Sequence, residues 1–311
     1  MRTDPYLVKQ QAGVIEAWSS ERLKFEVKDS WHRDFRDDLR RAIRRLGGGE
    51  SLIAATHGSV VREFCDTENI LFYNVGAGCF TEVARLGIRF ERSFECPSPP
   101  GDRAAPALHY YRYERAAAGQ PFLHWCEHEF LGDFSAVRLP RLTEQTKPVQ
   151  VWFPVRRAVL DALPDAALER RSLQPFTLRL RLQAPRPVPQ PARIIKPLLD
   201  GTTAAFQCHD GSEFDEITRR LAVQLSTSAG EIASLLVASR MAPLGGGRLI
   251  VLRSSGVQWQ PGDDRCVACE LVVEEGNADE GYVLRGALWT ARPVGSRHRA
   301  TCRCRKPRPW R

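Results

Sequence analysis

The chain has 311 residues and a hydrophobic fraction of 43%, enough for one large domain or two with real cores, which excludes a globally disordered protein. Its formal net charge is +8 and its pI about 9.2, which permits nucleic acid or another acidic surface as a partner without requiring one. No apolar run approaches the roughly 18 residues of a membrane span, and the nine cysteines, an odd number, argue against a disulfide framework, so the expectation is a cytoplasmic protein with reduced thiols and no membrane partner.

Up to about residue 45 the pattern is charged and helical. Phe35, Leu39, Ile43 and Leu46 recur at helical spacing, and Gly47-Gly48-Gly49 ends the helix. Arg36, Arg40, Arg41 and their neighbours alternate with Asp34, Asp37 and Asp38, which favours a solvated, ion-paired face over a DNA-facing one. Residues 51–61 and 69–75 read as strands, with Gly76-Ala77-Gly78 as a turn. A nucleotide loop there lacks the third glycine and any following Gly-Lys-Ser/Thr. Residues 87–94 alternate as a strand, and 96–106 form a Pro- and Gly-rich loop.

The run His109–Glu114 reads as a strand whose aromatics make ordinary cross-strand pairs. In 122–130, His124 and His128 would share a helix face, or His124, Cys126 and His128 a strand face. A metal there is the lesser expectation. Residues 142–151 are a polar connection and mark a domain boundary near 145. Residues 154–170 read as a helix led by Pro154 and ended or kinked by Pro164. Residues 176–182, FTLRLRL, alternate strictly, with Arg179 and Arg181 on the polar face. Pro185, Pro187, Pro189 and Pro191 then punctuate an extended loop.

The stretch 193–210, RIIKPLLDGTTAAFQCHD, taken with the strand before it, is similar to part of the RusA type of Holliday-junction resolvases. That family has a strand, an Asp-x-Asp-Asn loop, a helix beginning Ile-Lys-x-x-x-Asp, and a later Asp-Asp pair. Lys196 occupies the Lys position, Asp200 follows on the same helix, and His209-Asp210 falls where the Asp pair is expected. The resemblance implies a Mg²⁺-dependent, structure-specific nuclease with Lys196, Asp200 and Asp210 as its catalytic residues. Clustered carboxylates would hold Mg²⁺ to activate water and stabilise the leaving oxygen. Gln190 and Ala192 stand where the loop aspartates belong, and Arg193 where the Asn belongs. The implication is then related architecture with decayed catalysis, unless Asp263-Asp264 contributes from elsewhere.

Residues 216–240 read as two short helices. Leu221, Leu225, Ile232, Leu235 and Leu236 give each an apolar stripe, Ser226-Thr227-Ser228 breaks the pattern, and Ser228 with Glu231 fits a capping box. The stretch resembles the helix-turn-helix of bacterial DNA-binding regulators, with Ala222 where the helices cross and Ser226 where that family often has Gly. The resemblance implies a second helix that reads the major groove through Ser228, Glu231, Ser234 and Arg240, with Arg219 and Arg220 beside it. An ordinary helix pair packed into the core is the other reading.

After Gly245-Gly246-Gly247, residues 248–253, 257–259 and 269–273 read as strands, with a turn at 261–264. Cys266 and Cys269 have Cys-x-x-Cys spacing inside a strand pattern, and Cys302 and Cys304 lie far off near His298, so zinc is the lesser reading. From Gly295 the tail is dense in Arg and cannot bury a core. It reads as a basic disordered arm able to contact phosphates.

These readings combine into an α+β or mixed α/β protein of two halves. Residues 1–145 form an N-terminal half of unassigned role, 146–294 a C-terminal half with the helix-turn-helix-like pair, and 295–311 a tail. The first functional expectation is a DNA-binding transcriptional regulator, more a binding protein than an enzyme, without metal or other cofactor, and expected to bind a palindrome as a homodimer. The alternative is the Mg²⁺-dependent nuclease.

Overall fold

The computed structural model describes residues 4–27, 29–61, 63–101, 107–162, 174–238 and 242–294. The expected tail and Arg240 lie outside the described residues. The fold is mixed α and β, as expected. One nine-stranded sheet runs through both halves of the chain. Its strands, in chain order, are β1 (Tyr6–Gln11), β2 (Val14–Ser19), β3 (Leu52–Ser59), β4 (Gly87–Ser93), β5 (His109–Ala116), β6 (Trp125–Leu139), β7 (Phe176–Ala184), β12 (Cys266–Glu275) and β13 (Tyr282–Pro293). Short pairs outside the sheet are β8 (Cys208–His209) with β9 (Gly246–Gly247), and β10 (Ile250–Arg253) with β11 (Gly256–Trp259). The helices are α1 (Ser30–Arg45), α2 (Pro148–Ala162), α3 (Pro191–Ala205), α4 (Phe214–Leu225) and α5 (Ala229–Val237).

The sheet order is β1-β2-β5-β3-β4-β12-β7-β13-β6. Without β1, this order is the same from either end. The first half places β2, β5, β3 and β4 inward from the edge, and the second places β6, β13, β7 and β12. The pairing directions match as well. β2 with β5 and β6 with β13 are antiparallel, β5 with β3 and β13 with β7 are antiparallel, and β3 with β4 and β7 with β12 are parallel. Each half is therefore a strand–helix–strand–crossover–strand–strand unit, with α1 answering to α2. The halves meet at the antiparallel pair β4–β12, where Phe90 faces Cys269 and Arg89 faces Glu270. An antiparallel pair carries a local two-fold axis, so the molecule is an internal pseudo-dimer.

The two faces of the central strands differ in chemistry. Ile88 and Phe90 of β4, Cys269 and Leu271 of β12, and Leu178 and Leu180 of β7 form a core with Ile194, Ile195, Leu198 and Leu199 of α3 and with Trp152 and Val155 of α2. The alternate positions carry Arg89 and Glu91, Glu270, and Arg179, all buried. Arg179 pairs with Glu270 and with Glu127 of β6, and Arg89 pairs with Glu91 and Glu270. The segment joining the two halves closes this face. Gly119 N donates to the Glu270 carboxylate and His124 N to Glu91, while the Phe122 ring lies 4.4 Å from the Arg89 guanidinium and 4.7 Å from that of Arg179. Arg179 is thus locked into an ion network rather than displayed on a solvated face.

Most sequence-predicted strands and helices appear near their expected places. Residues 69–75 do not form a strand. Asn69–Tyr73 is a single π-helical turn with Ile70, Leu71 and Phe72 buried, a short apolar run of the kind that has no diagnostic period. The helix expected from Pro154 begins at Pro148 instead, inside the polar connection, and Pro154 lies within it. Residues 163–170 fall outside the described residues. Gly76 has φ +110 and abuts Arg40, which makes Gly76–Gly78 part of a turn. Trp18 and Tyr110 form the expected cross-strand aromatic pair.

The helix pair α4–α5 has the expected turn, and Ser228 Oγ accepts from Glu231 N as the N-cap. Leu221, Ala222, Ile232, Leu235 and Leu236 are buried. Ser226 takes φ +52, the left-handed conformation that explains why glycine suits this turn position. Arg156 of α2, fully buried, donates to the carbonyls of Ala205, Leu235 and Ala238, and so ties α2, α3 and α5 together.

Truncating Glu270 would leave Arg89 and Arg179 buried with less countercharge. We expect Glu270→Ala to lower the unfolding free energy by about 3–5 kcal/mol, measured by urea denaturation. An unchanged midpoint would contradict the role given to this network.

Candidate active site

The crossover after β3 carries Asp66-Thr67-Glu68-Asn69, and the crossover after β7 carries α3 with Lys196 and Asp200 one helical turn apart. A short 3₁₀ turn at Asp263–Arg265 leads into β12. The two crossovers converge against the central strands. The Lys196 Nζ lies 3.0 Å from Asp200 Oδ1, 3.2 Å from Glu68 Oε1, 3.2 Å from Asp263 Oδ2 and 3.7 Å from Asp66 Oδ2. Asp66 and Glu68 come from the first half; Lys196, Asp200 and Asp263 come from the second.

Local structure fixes the acidic loop. Asn69 Nδ2 donates to Asp66 Oδ2, and Thr67 Oγ1 donates to the Cys65 carbonyl. The Glu68 side chain is about 1% exposed, and its second oxygen, Oε2, is buried without a hydrogen-bond partner. Asp66, Glu68 and Asp263 each place a carboxylate oxygen within 4.8 Å of the others, the spacing that a shared cation requires. All are oxygen donors, the set suited to a hard cation such as Mg²⁺ or Mn²⁺.

Four carboxylates around one ammonium leave negative charge in excess. Burial, with Asp66 and Asp200 nearby, pushes the Glu68 carboxyl up to about 7 against the pull of Lys196. Burial, Asp200 and Glu68 push Asp263 up to about 9. Asp200 is also raised by burial, against Lys196. Burial disfavours the Lys196 ammonium, but Glu68, Asp200, Asp263 and Asp66 outweigh it and hold its pKa above the ordinary lysine value. The cluster therefore retains protons at neutral pH, and a divalent cation would displace them.

The cluster opens on a cavity of about 970 Å³. Arg22, Lys24 and Arg193 line it, with Arg193 paired to Glu144 of the same wall at 2.7 Å and Lys24 to Glu21 at 3.1 Å. Phe25 and Tyr73, both more than half exposed, stack with centroids 5.0 Å apart on its rim.

The structure brings together two of the three residues expected from the resolvase resemblance, Lys196 and Asp200. Asp210 is elsewhere. Its carboxylate accepts from Ser212 N and Ser212 Oγ and lies beside His209, not among the groups around Lys196. Asp263, first of the pair Asp263-Asp264, lies beside Lys196 where Asp210 was expected. Gln190 and Ala192 bring no carboxylate to the cluster; Asp66 and Glu68, 120 residues and more earlier in the sequence, do. An Asp-x-Glu-Asn run behind a strand was the signal that could have revealed them.

Of the residues expected to read DNA, Arg219 and Arg220 line a neighbouring cavity that shares Pro148 and Asp200 with the cleft, and Ser228, Glu231 and Ser234 line neither. Ser228, the N-cap of α5, and Ser234 on α5 are exposed, with Ser234 Oγ donating to the Gly230 carbonyl. Glu231 lies 3.4 Å from Arg157, and Arg219 and Arg220 are both bound by Glu216. Cys266 and Cys269 are buried within β12 as free thiols.

No protein-family model matches the chain, and no curated protein matches it. Among solved structures it is similar to one described as "Cyanuric acid hydrolase: evolutionary innovation by structural concatenation", at 14% identity, covering 92% of this chain and 68% of that one. The TM-score is 0.18, so that likeness carries no weight for fold or function.

The raised carboxyls have a testable cost. Between the ordinary carboxylate value near 4 and the raised values of about 7 and 9, the folded chain binds more protons than the unfolded chain. The stability these groups contribute is therefore present at low pH and is lost as pH rises through that window. At pH 8 in EDTA, Asp263→Asn should be more stable than wild type, by on the order of 1–3 kcal/mol, with the difference shrinking towards pH 4. Mg²⁺ or Mn²⁺ should raise the wild-type melting temperature and leave the variant's unchanged. A variant less stable than wild type at pH 8, with no metal effect on either, would contradict this account.

Proposed function

We propose that this chain is a divalent-cation-dependent phosphodiesterase acting on nucleic acid, with one cutting site assembled from both halves. The observation that carries the reading is the convergence of Asp66, Glu68, Asp200 and Asp263 on Lys196 at the mouth of an aromatic-rimmed cleft whose walls include Arg22, Lys24 and Arg193. The order strand, Asp-x-Glu-Asn, Ile-Lys-x-x-x-Asp and Asp-Asp supports it too, since these are the parts of the resolvase pattern, with Glu68 in place of one Asp and the parts divided between two repeats.

Asp66, Glu68 and Asp263 fit a hard divalent cation by donor type and spacing. When bound, such a cation supplies Lewis acidity towards phosphate oxygens and a more acidic water. The chain's own groups do the rest. Asp200 orients the Lys196 ammonium, which presents a positive charge to a phosphate oxygen. Arg193, one turn before Lys196 on α3, and Arg22 and Lys24 across the cleft are placed for neighbouring phosphates. The Phe25–Tyr73 pair offers a surface on which an unpaired base can stack, which favours branched or frayed substrates over plain duplex.

Among the described residues one group of three or more potential metal ligands occurs, and it draws on both halves and so is a single site, not a pair related by the pseudo-two-fold. DNA remains the partner, but the carboxylate cleft, not the α4–α5 pair, carries the expectation.

The test uses end-labelled four-way junction, splayed fork, single strand and duplex with Mg²⁺ or Mn²⁺. Wild type should nick the branched substrates. Asp66→Asn and Asp263→Asn should each lower kcat by about 100-fold or more. Lys196→Met should lose cleavage while still binding Mn²⁺ by calorimetry, and Asp210→Asn and Ser228→Ala should behave as wild type. Absence of cleavage with both metals on all four substrates would overturn the reading.

A further inference from the structure

A second, smaller cavity of about 310 Å³ lies beside the cleft and shares Arg22, Lys24 and Cys65 with it. Cys65 directly precedes Asp66, so this cavity begins where the acidic loop begins. Its walls include His57 of β3, Arg92 of β4 and His109 of β5. His57 and Arg92 are register partners on adjacent strands, and the His57 and His109 rings stack at 5.6 Å.

His57 and Arg92 are buried and His109 is partly buried, each with part of its hydrogen-bonding capacity unused. His57 is 1% exposed and Arg92 2% exposed. Both ring nitrogens of His57, Nε of Arg92 and Nδ1 of His109 are buried without a partner. Arg92 Nη1 donates to Cys65 Sγ, and its guanidinium lies 5.3 Å from the Phe94 ring centroid and 5.7 Å from that of Phe64. Buried polar groups are nearly always satisfied; among these nitrogens Arg92 Nε is an obligate donor and each neutral imidazole has one N–H, so the residues around this cavity hold donors that an acceptor-rich ligand would satisfy. Glu21 and Glu63 also line the cavity, but Glu21 is engaged by Lys24 and Glu63 is exposed.

We propose that this cavity is a phosphate-binding subsite, formed by Arg22, His57, Arg92 and His109, that holds a phosphate of the substrate strand adjoining the one at the carboxylate cluster. The identification of the strand rests on the phosphodiesterase reading of the neighbouring cleft; the anion site itself does not. The sign of the local field agrees. Burial, His109, Arg92 and Arg22 hold the His57 imidazole well below its ordinary pKa, which is the signature of a positive, desolvated surrounding. A phosphate there finds donors in Arg22 and Arg92, and each imidazole contributes the N–H of its neutral tautomer.

The test is a titration of the full chain, with histidine labelled with ¹³C and ¹⁵N, in EDTA at pH 8 and constant ionic strength. The His57 ring signal is assigned by its loss in His57→Gln. Inorganic phosphate should shift the His57 and His109 ring signals saturably, where chloride shifts neither. Arg22→Gln, an exposed substitution that leaves the fold alone, should weaken phosphate at least tenfold, and Arg92→Gln more. Asp263→Asn, in the carboxylate cluster, should bind phosphate as wild type does. A trithymidine that shifts the same signals without a terminal phosphate assigns the site to an internal phosphodiester. A shift seen only with the 5′-phosphorylated trithymidine assigns it to a strand end; either supports the subsite.

Absence of a saturable shift with any of the three, or shifts unchanged in both arginine variants, would overturn the proposal. No metal and no turnover are involved, so cleavage without a shift would sink the subsite and keep the phosphodiesterase. A shift without cleavage would do the reverse.

Discussion

Four carboxylates, those of Asp66, Glu68, Asp200 and Asp263, are pressed against the single ammonium of Lys196 at a partly buried position. Such a concentration of like charge is unfavourable in a low-dielectric setting and forces carboxyl pKa values upward. Folds rarely keep such an arrangement for stability, because a hydrophobic replacement of similar size is often as good or better. Strongly perturbed carboxyls in a cleft are characteristic of functional sites. The rest of the architecture can be understood as the support for this cluster. The core beneath α3 positions Lys196 and Asp200, the π turn after β3 fixes Asp66 and Glu68, and the start of β12 delivers Asp263.

The pseudo-two-fold explains why the parts come from distant positions. In a parallel strand–crossover–strand unit, the loop after the first strand and the turn before the second lie at opposite ends of the sheet. One unit cannot bring its own acidic loop to its own Asp pair. Two units facing each other across β4–β12 can, because the antiparallel arrangement brings the first loop to the same end as the second turn. Beneath them, on the opposite face, the network of Arg89, Glu91, Arg179 and Glu270 pins the central strands together under the inter-repeat segment.

The sequence made the local elements legible where the pattern was strong. The alternation of residues 176–182, the helical spacing of Phe35, Leu39 and Ile43, and the cap formed by Ser228 and Glu231 all have direct local causes. Lys196 and Asp200 were legible because a single turn of α3 sets their separation. Asp66 and Glu68 were not legible as part of the same site, because an Asp-x-Glu-Asn run behind a strand is a weak signal by itself and nothing local tells that the other half of the chain brings it beside Lys196. Asn69–Tyr73 hid its role further by mimicking a strand, since Ile70, Leu71 and Phe72 are apolar without period. The burial of Arg179 was equally invisible, because its partners Glu127 and Glu270 lie 52 and 91 residues away.

A divalent cation held by the carboxylates of Asp66, Glu68 and Asp263 would be visible in a crystal. Crystals of the wild-type chain soaked in Mn²⁺ should give an anomalous difference peak between these three side chains, with the Lys196 ammonium displaced from their midst. Crystals of Asp263→Asn treated identically should give none there. A wild-type map without a peak at this position, with Lys196 still ion-paired to all four carboxylates, would contradict the account and leave the cluster as an internal ion network.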